Sequence, residues 1–165
     1  AFAKVAVYEP GVSIDGSIPV DWMSRYEKKL AESKRLDAFV EFIRSTGPKA
    51  VRIVPRWYMK LMLPLFMKSH ELTTILSLLQ ENLREHQEVA RLNNSYENYG
   101  QISASVLFMY GGKGHTPQED TRTKRLTAVF QRSETREFPK LDHFGIDKNG
   151  PQEVARAVSA YFLQE

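Results

Sequence analysis

The sequence predicts an α/β protein, a parallel sheet interrupted by a large helical insert. Three observations predict it. Apolar runs closed by turn residues stand at 2–8 and 105–110. Segments of helical period fill the interval between them and recur after the second run. That interval, about 90 residues, is too long for a single crossover between parallel strands.

The elements follow in order. FAKVAVY (2–8) carries Phe2, Val5, Val7 and Tyr8 and is punctuated by Glu9-Pro10-Gly11, a buried strand that runs into a loop. Residues 12–19 read as turn. From Asp21, a plausible N-cap, Trp22, Met23, Tyr26 and Leu30 take helical spacing. A second helix fits Leu36 to Ile43 and stops at Thr46-Gly47-Pro48. A third covers 49–68 with breaks or kinks near Pro55 and Pro64. A fourth runs from Leu72 to Leu92. After Asn93-Asn94-Ser95 a turn reaches Ile102. Ser105–Tyr110 is a continuous apolar run closed by Gly111-Gly112, the pattern of a strand covered on both faces. Thr116-Pro117-Gln118-Glu119 opens a helix that reaches about Phe130, with Thr at the cap and Pro in the first turn. Arg136–Phe138 is a short strand, Asp142–Gly145 a loop, and Asn149-Gly150-Pro151 opens a last amphipathic helix.

Composition narrows the classes. At 165 residues the length suits about one domain. A content of 42% hydrophobic and 26% charged residues excludes wholesale disorder. The net charge of +3 is too small to argue for a nucleic-acid partner. The absence of cysteine excludes thiol nucleophiles, disulfides and thiolate zinc sites. The most apolar stretch, Met59 to Met67, is interrupted by Lys60 and Pro64 and falls far short of the roughly 20 residues a bilayer needs. No leader pattern opens the chain, so a cytoplasmic location is expected.

Two or three parallel strands make a poor sheet, since parallel sheets are larger and covered on both faces. The sequence also begins at Ala1 and passes at once into a strand. Both features read as a processed or incomplete chain, and they predict a complementary N-terminal segment or chain carrying further strands.

Among chemistry-bearing residues His143 leads. It follows a strand end, in a loop beside Gly145, and imidazole accepts and returns a proton near neutrality. A surface-loop histidine without a role is the plain alternative. The order SASVLFMYGGKG, helix, REFPKLDHFGI, then NGPQEVARAVSAYFL resembles the C-terminal half of an α/β-hydrolase, in which a loop after the last strand bears the catalytic histidine. AFAKVAVYEP resembles the strand after the nucleophile segment, and the block that follows resembles the helical lid. The resemblance implies a core strand at 1–12, a helical cap at 13–102 and a C-terminal core at 103–165. It also implies hydrolysis of an ester-like bond in a small, largely apolar substrate, with no cofactor and no metal. His143 would serve as general base and acid.

The resemblance asks for an acid beside that histidine. Gly111-Gly112-Lys113-Gly114, the usual neighbourhood, holds no carboxylate. Some members carry the acid after the earlier strand, where Glu9 stands, so Glu9 is the preferred candidate. Glu119 and Asp120 follow, although charges complementing a helix start explain them better. Asp142 reads as a turn residue. The nucleophile turn G-x-S-x-G is missing. Gly11-Val12-Ser13-Ile14-Asp15-Gly16 comes nearest, but its second glycine is one residue late and no helix follows. The nucleophile, Ser or Asp, is therefore expected outside the supplied sequence, which alone should not turn over substrate. A non-catalytic module that binds a ligand or partner on the same fold is the alternative.

Weaker signals have plainer readings. Gly111–Gly114 lacks the spacing of a phosphate loop and reads as a flexible turn. His70-Glu71 and Glu85-His86 lack the second histidine of a zinc helix. Arg44, Lys49, Arg52, Arg56 and Lys60, interleaved with Trp57 and Tyr58, form a nucleic-acid-like pattern that a solvated lid surface explains better. The Met-rich stretch around Met59, Met62, Leu63, Phe66 and Met67 suits either lid core or an adaptable apolar pocket.

Overall fold

The computed structural model describes residues 2–164. In chain order the elements are β1 (Lys4–Tyr8), α1 (Met23–Ala31), α2 (Arg35–Thr46), α3 (Lys49–Arg52), α4 (Arg56–Phe66), α5 (Ser69–Ser77), α6 (Leu79–Arg91) and a 3-10 turn (Tyr96–Gln101). Then come β2 (Ser105–Gly111), α7 (Pro117–Ala128), β3 (Ser133–Phe138), a π turn (Gly145–Asn149) and α8 (Pro151–Leu163). They form two compact units. One comprises the chain up to Asp15 and from Asn93 onward, the other Gly16–Leu92.

The first unit is a parallel sheet in the order β1-β2-β3, with Val5 opposite Val106 and Gly111 opposite Phe138. The α/β class read from the sequence is the observed one. β2 is buried on both faces, as its unbroken apolar run requires. Leu107 and Met109 pack with Phe138, Leu141 and the α8 residues Val154, Ala157 and Tyr161. Val106 and Phe108 face the other way, against Ile14, Tyr96 and Leu126 of α7. α7 starts as TPQE predicts: Thr116 and Glu119 form a reciprocal capping box, with Pro117 in the first turn.

The two edges of the sheet differ. β3 is exposed from Ser133 to Glu137 and carries Glu134, Arg136 and Glu137, the charges that deter further pairing. It also begins three residues before the expected Arg136. Pairing with β2 recruits the polar SETR segment that hydropathy does not flag. β1 is half-buried and mostly apolar, and among the described residues only β2 pairs with it.

The second unit is helical throughout. Trp22, Tyr26, Ala38, Phe39, Leu79 and Leu83 form its core. The Trp22 ring meets Tyr26, Phe42 and His86 edge-on at 5.0–5.1 Å. The Tyr26 hydroxyl donates to Leu79 O at 2.9 Å, and burial pushes its pKa up to about 12. Asp21 does not cap α1. The cap position is Trp22, whose buried indole N–H donates to Pro19 O at 2.9 Å. Burying an indole is worth about 4–6 kcal/mol, against about 1 kcal/mol for a side-chain cap.

The expected fourth helix is two helices, α5 and α6, parted at Leu78. Thr73, Thr74 and Ser77 hydroxyls bond back to carbonyls of α5 just before the break, the habit that bends helices. The helical unit is narrower than the expected 13–102. Ser13 O accepts from Asn94 N–H, and Tyr96 is buried beside β2, which ties both flanks to the sheet. No described helix is long and apolar enough to cross a membrane.

Candidate functional site

β1 ends at Tyr8, and the next residue leaves the strand in a left-handed conformation. Glu9 has φ +41°, which costs a non-glycine residue about 1–2 kcal/mol. Its N–H still donates to Met109 O at 2.9 Å, so the strand ladder holds its backbone at the turn. Oε1 of its carboxylate accepts from Gly111 N–H at 2.9 Å, and Oε2 lies 2.7 Å from His143 Nδ1. The two residues are 134 positions apart in sequence. A carboxylate accepting at Oε2 requires Nδ1 to carry the proton, which in the neutral ring leaves the Nε2 lone pair free. Nε2 has no partner among the described residues. The imidazole is 71% exposed and the Glu9 side chain 24%, so a fixed carboxylate carries an accessible ring.

The loop bearing His143 is pinned from several sides. The Tyr8 hydroxyl donates to Asp142 O at 2.7 Å. Burial, then the nearby charges of Glu9 and Asp142, push the Tyr8 pKa up, so the hydroxyl remains a donor at neutral pH. Lys113 N–H donates to Leu141 O at 2.9 Å. Asp142 Oδ1 accepts from Phe144 N–H at 2.8 Å and Asn149 Nδ2 at 2.5 Å. Asp142 is thus the turn residue the sequence suggests. Gly111 permits the close approach, since a Cβ there would stand 2.6 Å from Leu141 O and 2.8 Å from the Asp142 backbone. A Cβ at Gly145 would meet the Tyr8 hydroxyl.

The remaining sequence candidates are engaged elsewhere. Glu119 accepts from Thr116, N–H and hydroxyl both. Burial alone would raise its carboxyl, but these hydrogen bonds and the neighbouring charges of His115 and Arg122 hold it below the usual range. Asp120 lies 3.2 Å from His115 Nε2, close enough for a pair but without hydrogen-bond geometry. Ser13 is buried, and its hydroxyl donates to Asn93 Oδ1 at 2.8 Å. His86 Nδ1 lies 2.8 Å from Asn82 O, its ring in the Trp22 cluster. The Met-rich stretch divides by helix face. Met59 is buried, Leu63 and Met67 pack on the helical core, and Trp57, Leu61, Leu65 and Phe66 are exposed.

The structure brings together His143 and Glu9, the two residues the sequence singles out, and adds Tyr8, Gly111, Gly145 and Asn149 around them, which the sequence did not single out. Tyr8 looked like one more strand residue, and Gly111 like part of a flexible turn. The only local hint is that each stands next to a candidate or at a strand end.

A three-stranded parallel sheet with a helical insert after its first strand is a known arrangement, and a comparison of structures agrees on the fold. A crystal structure of an alpha/beta hydrolase from Sphaerobacter thermophilus DSM 20745 superposes with a TM-score of 0.64 at 19% identity, over 97% of this chain. The fold is that of an α/β hydrolase. The chain spans 58% of the length of that α/β hydrolase. No family model and no curated protein matches the sequence.

Proposed function

We propose that this chain is the helical cap and C-terminal core of a hydrolase that cleaves ester-like bonds of small, largely apolar molecules. The observation that carries the reading is the contact between Glu9 Oε2 and His143 Nδ1 at 2.7 Å, on turns that follow the carboxyl ends of parallel strands. Glu9 holds the ring in the tautomer whose Nε2 is a base. That nitrogen takes the proton of an attacking hydroxyl and returns it to the leaving group. If the nucleophile is a carboxylate instead, Nε2 activates the hydrolytic water.

The nucleophile belongs to a complementary segment outside this sequence. Ser13 is buried and bonded to Asn93, which argues against it as the attacking group. The half-buried, uncharged edge at Val5–Tyr8 supports a further strand beside β1. An apolar groove of about 200 Å³ along Val5, Val7 and Pro10 favours apolar side chains from the same segment.

The test is ester turnover by the polypeptide extended upstream through its own strand–turn–helix. Activity there, lost in His143→Ala, is expected, with none from the present chain. Saturable esterase activity from the present chain, abolished by His143→Ala, would overturn the placement of the nucleophile. An extended chain that binds an apolar ester without turnover would favour the binding-module reading.

A further inference from the structure

The helical unit contains an open cleft of about 460 Å³, lined by Pro19, Asp21, Trp22, Arg25, Arg44 and Arg52, with Ser45 at its wall. Three arginines therefore share the cleft with one aspartate, Asp21, which is exposed. The guanidiniums are held from behind. Arg25 Nε donates to Glu41 Oε1 at 2.6 Å, and Arg56 Nη2 to the other oxygen at 2.8 Å. Glu41 is 8% exposed. Burial alone would raise its carboxyl, but the hydrogen bonds and charges of Arg25 and Arg56 hold it below the usual range. Arg44 Nη1 donates to Val54 O, and Arg52 Nε to Gly47 O at 3.4 Å.

Each of the three lining arginines uses one N–H in these contacts and keeps the rest of its planar fork. Arg25 and Arg44 are held by these contacts, so less of their side-chain entropy remains to be lost on binding. A single carboxylate would occupy one fork, whereas a phosphate dianion presents three oxygens to several. The cleft is also larger than a bare phosphate requires, and the exposed Pro19 gives it an apolar wall.

We propose that this cleft binds the phosphate group of a small organic phosphate monoester. The site lies wholly within residues 19–52, so it stands or falls independently of the hydrolase reading. A concave site of this size favours a small molecule over a nucleic-acid strand, which would need an extended groove.

Isothermal titration of the full chain with phenyl phosphate, inorganic phosphate and benzoate tests it. Saturable one-to-one binding of phenyl phosphate is expected, tighter than inorganic phosphate, with benzoate weakest. Arg52→Gln and Arg44→Gln should each weaken it roughly tenfold. Arg52→Lys should fall between, because it keeps the charge and loses the fork. Arg52 is exposed, so an unchanged melting curve will show that the variant folds. Lys28→Gln, on α1 outside the cleft, should change nothing. No saturable binding, equal affinity in Arg52→Gln, or equal loss in Lys28→Gln would overturn the proposal. So would displacement of phenyl phosphate by single-stranded oligonucleotide with steep salt dependence.

Discussion

Two histidines in the sheet unit face carboxylates, and they differ in every respect that matters for proton transfer. His115 follows β2. Its ring lies against Tyr110 at 4.7 Å, its Nε2 is buried without a hydrogen bond, and Asp120 sits 3.2 Å away on the first turn of α7. His143 follows β3. Its carboxylate is fixed by Gly111 N–H, its backbone by Tyr8 and Asp142, and its second nitrogen is accessible. Proximity of an acid is common to both pairs and decides little. What separates them is which nitrogen the acid occupies, whether the acid itself is held, and whether the other nitrogen can meet a reactant.

Substitutions can break that comparison, and the largest effect should come first. In the upstream-extended polypeptide, His143→Ala should lower kcat by about 10³-fold or more, while His115→Ala should leave it within a few-fold. Equal losses from both would erase the distinction. Glu9→Gln keeps an acceptor for Gly111 N–H but no longer selects the tautomer, and should cost roughly 10²–10⁴ in kcat with a smaller effect on KM. A KM effect alone would reduce Glu9 to a structural role.

The support of the His143 loop can be probed through stability. Gly111→Ala must displace the Leu141–Asp142 backbone and should destabilise by about 2–3 kcal/mol, measured as a lower melting temperature. Tyr8→Phe removes one hydrogen bond to Asp142 O and should cost about 1 kcal/mol, with some loss of kcat as the loop loosens.

The smallest effect lies in the helical unit, remote in sequence from either pair. The Glu41 carboxyl is lowered on folding, so its contribution is complete above the unfolded value of about 4.3 and fades as pH falls through the folded one. Because Arg25 and Arg56 are mostly exposed, Glu41→Gln should cost only about 1 kcal/mol at neutral pH. Melting curves of the two proteins should converge in acid.

Much of the fold was legible because local patterns carry it. The SVLFMY run announces a strand covered on both faces, and TPQE announces the start of α7 with its cap. The candidate site was legible in part, through position: a histidine after the last strand and a carboxylate after the first. The rest depends on contacts that no local window contains. Tyr8 acquires its role from Asp142, 134 residues away, and Gly111 from a loop that folds back across it. β3 draws in Ser133–Thr135 because β2 offers hydrogen bonds, against the polarity of those residues. Asp21 loses the cap position because Trp22 gains more by burial. The break at Leu78 comes from hydroxyls that a hydrophobic pattern ignores.

The central claim is that Glu9 sets the proton on Nδ1 of His143 and leaves Nε2 as a base. Long-range proton–nitrogen correlation spectra of the ¹⁵N-imidazole-labelled chain read this directly, at a pH where the ring is neutral. Nδ1 should give the shift of a protonated nitrogen and Nε2 that of a bare one, with the preference lost in Glu9→Gln. A ring protonated mainly at Nε2, or a pattern indifferent to Glu9→Gln, would contradict the account.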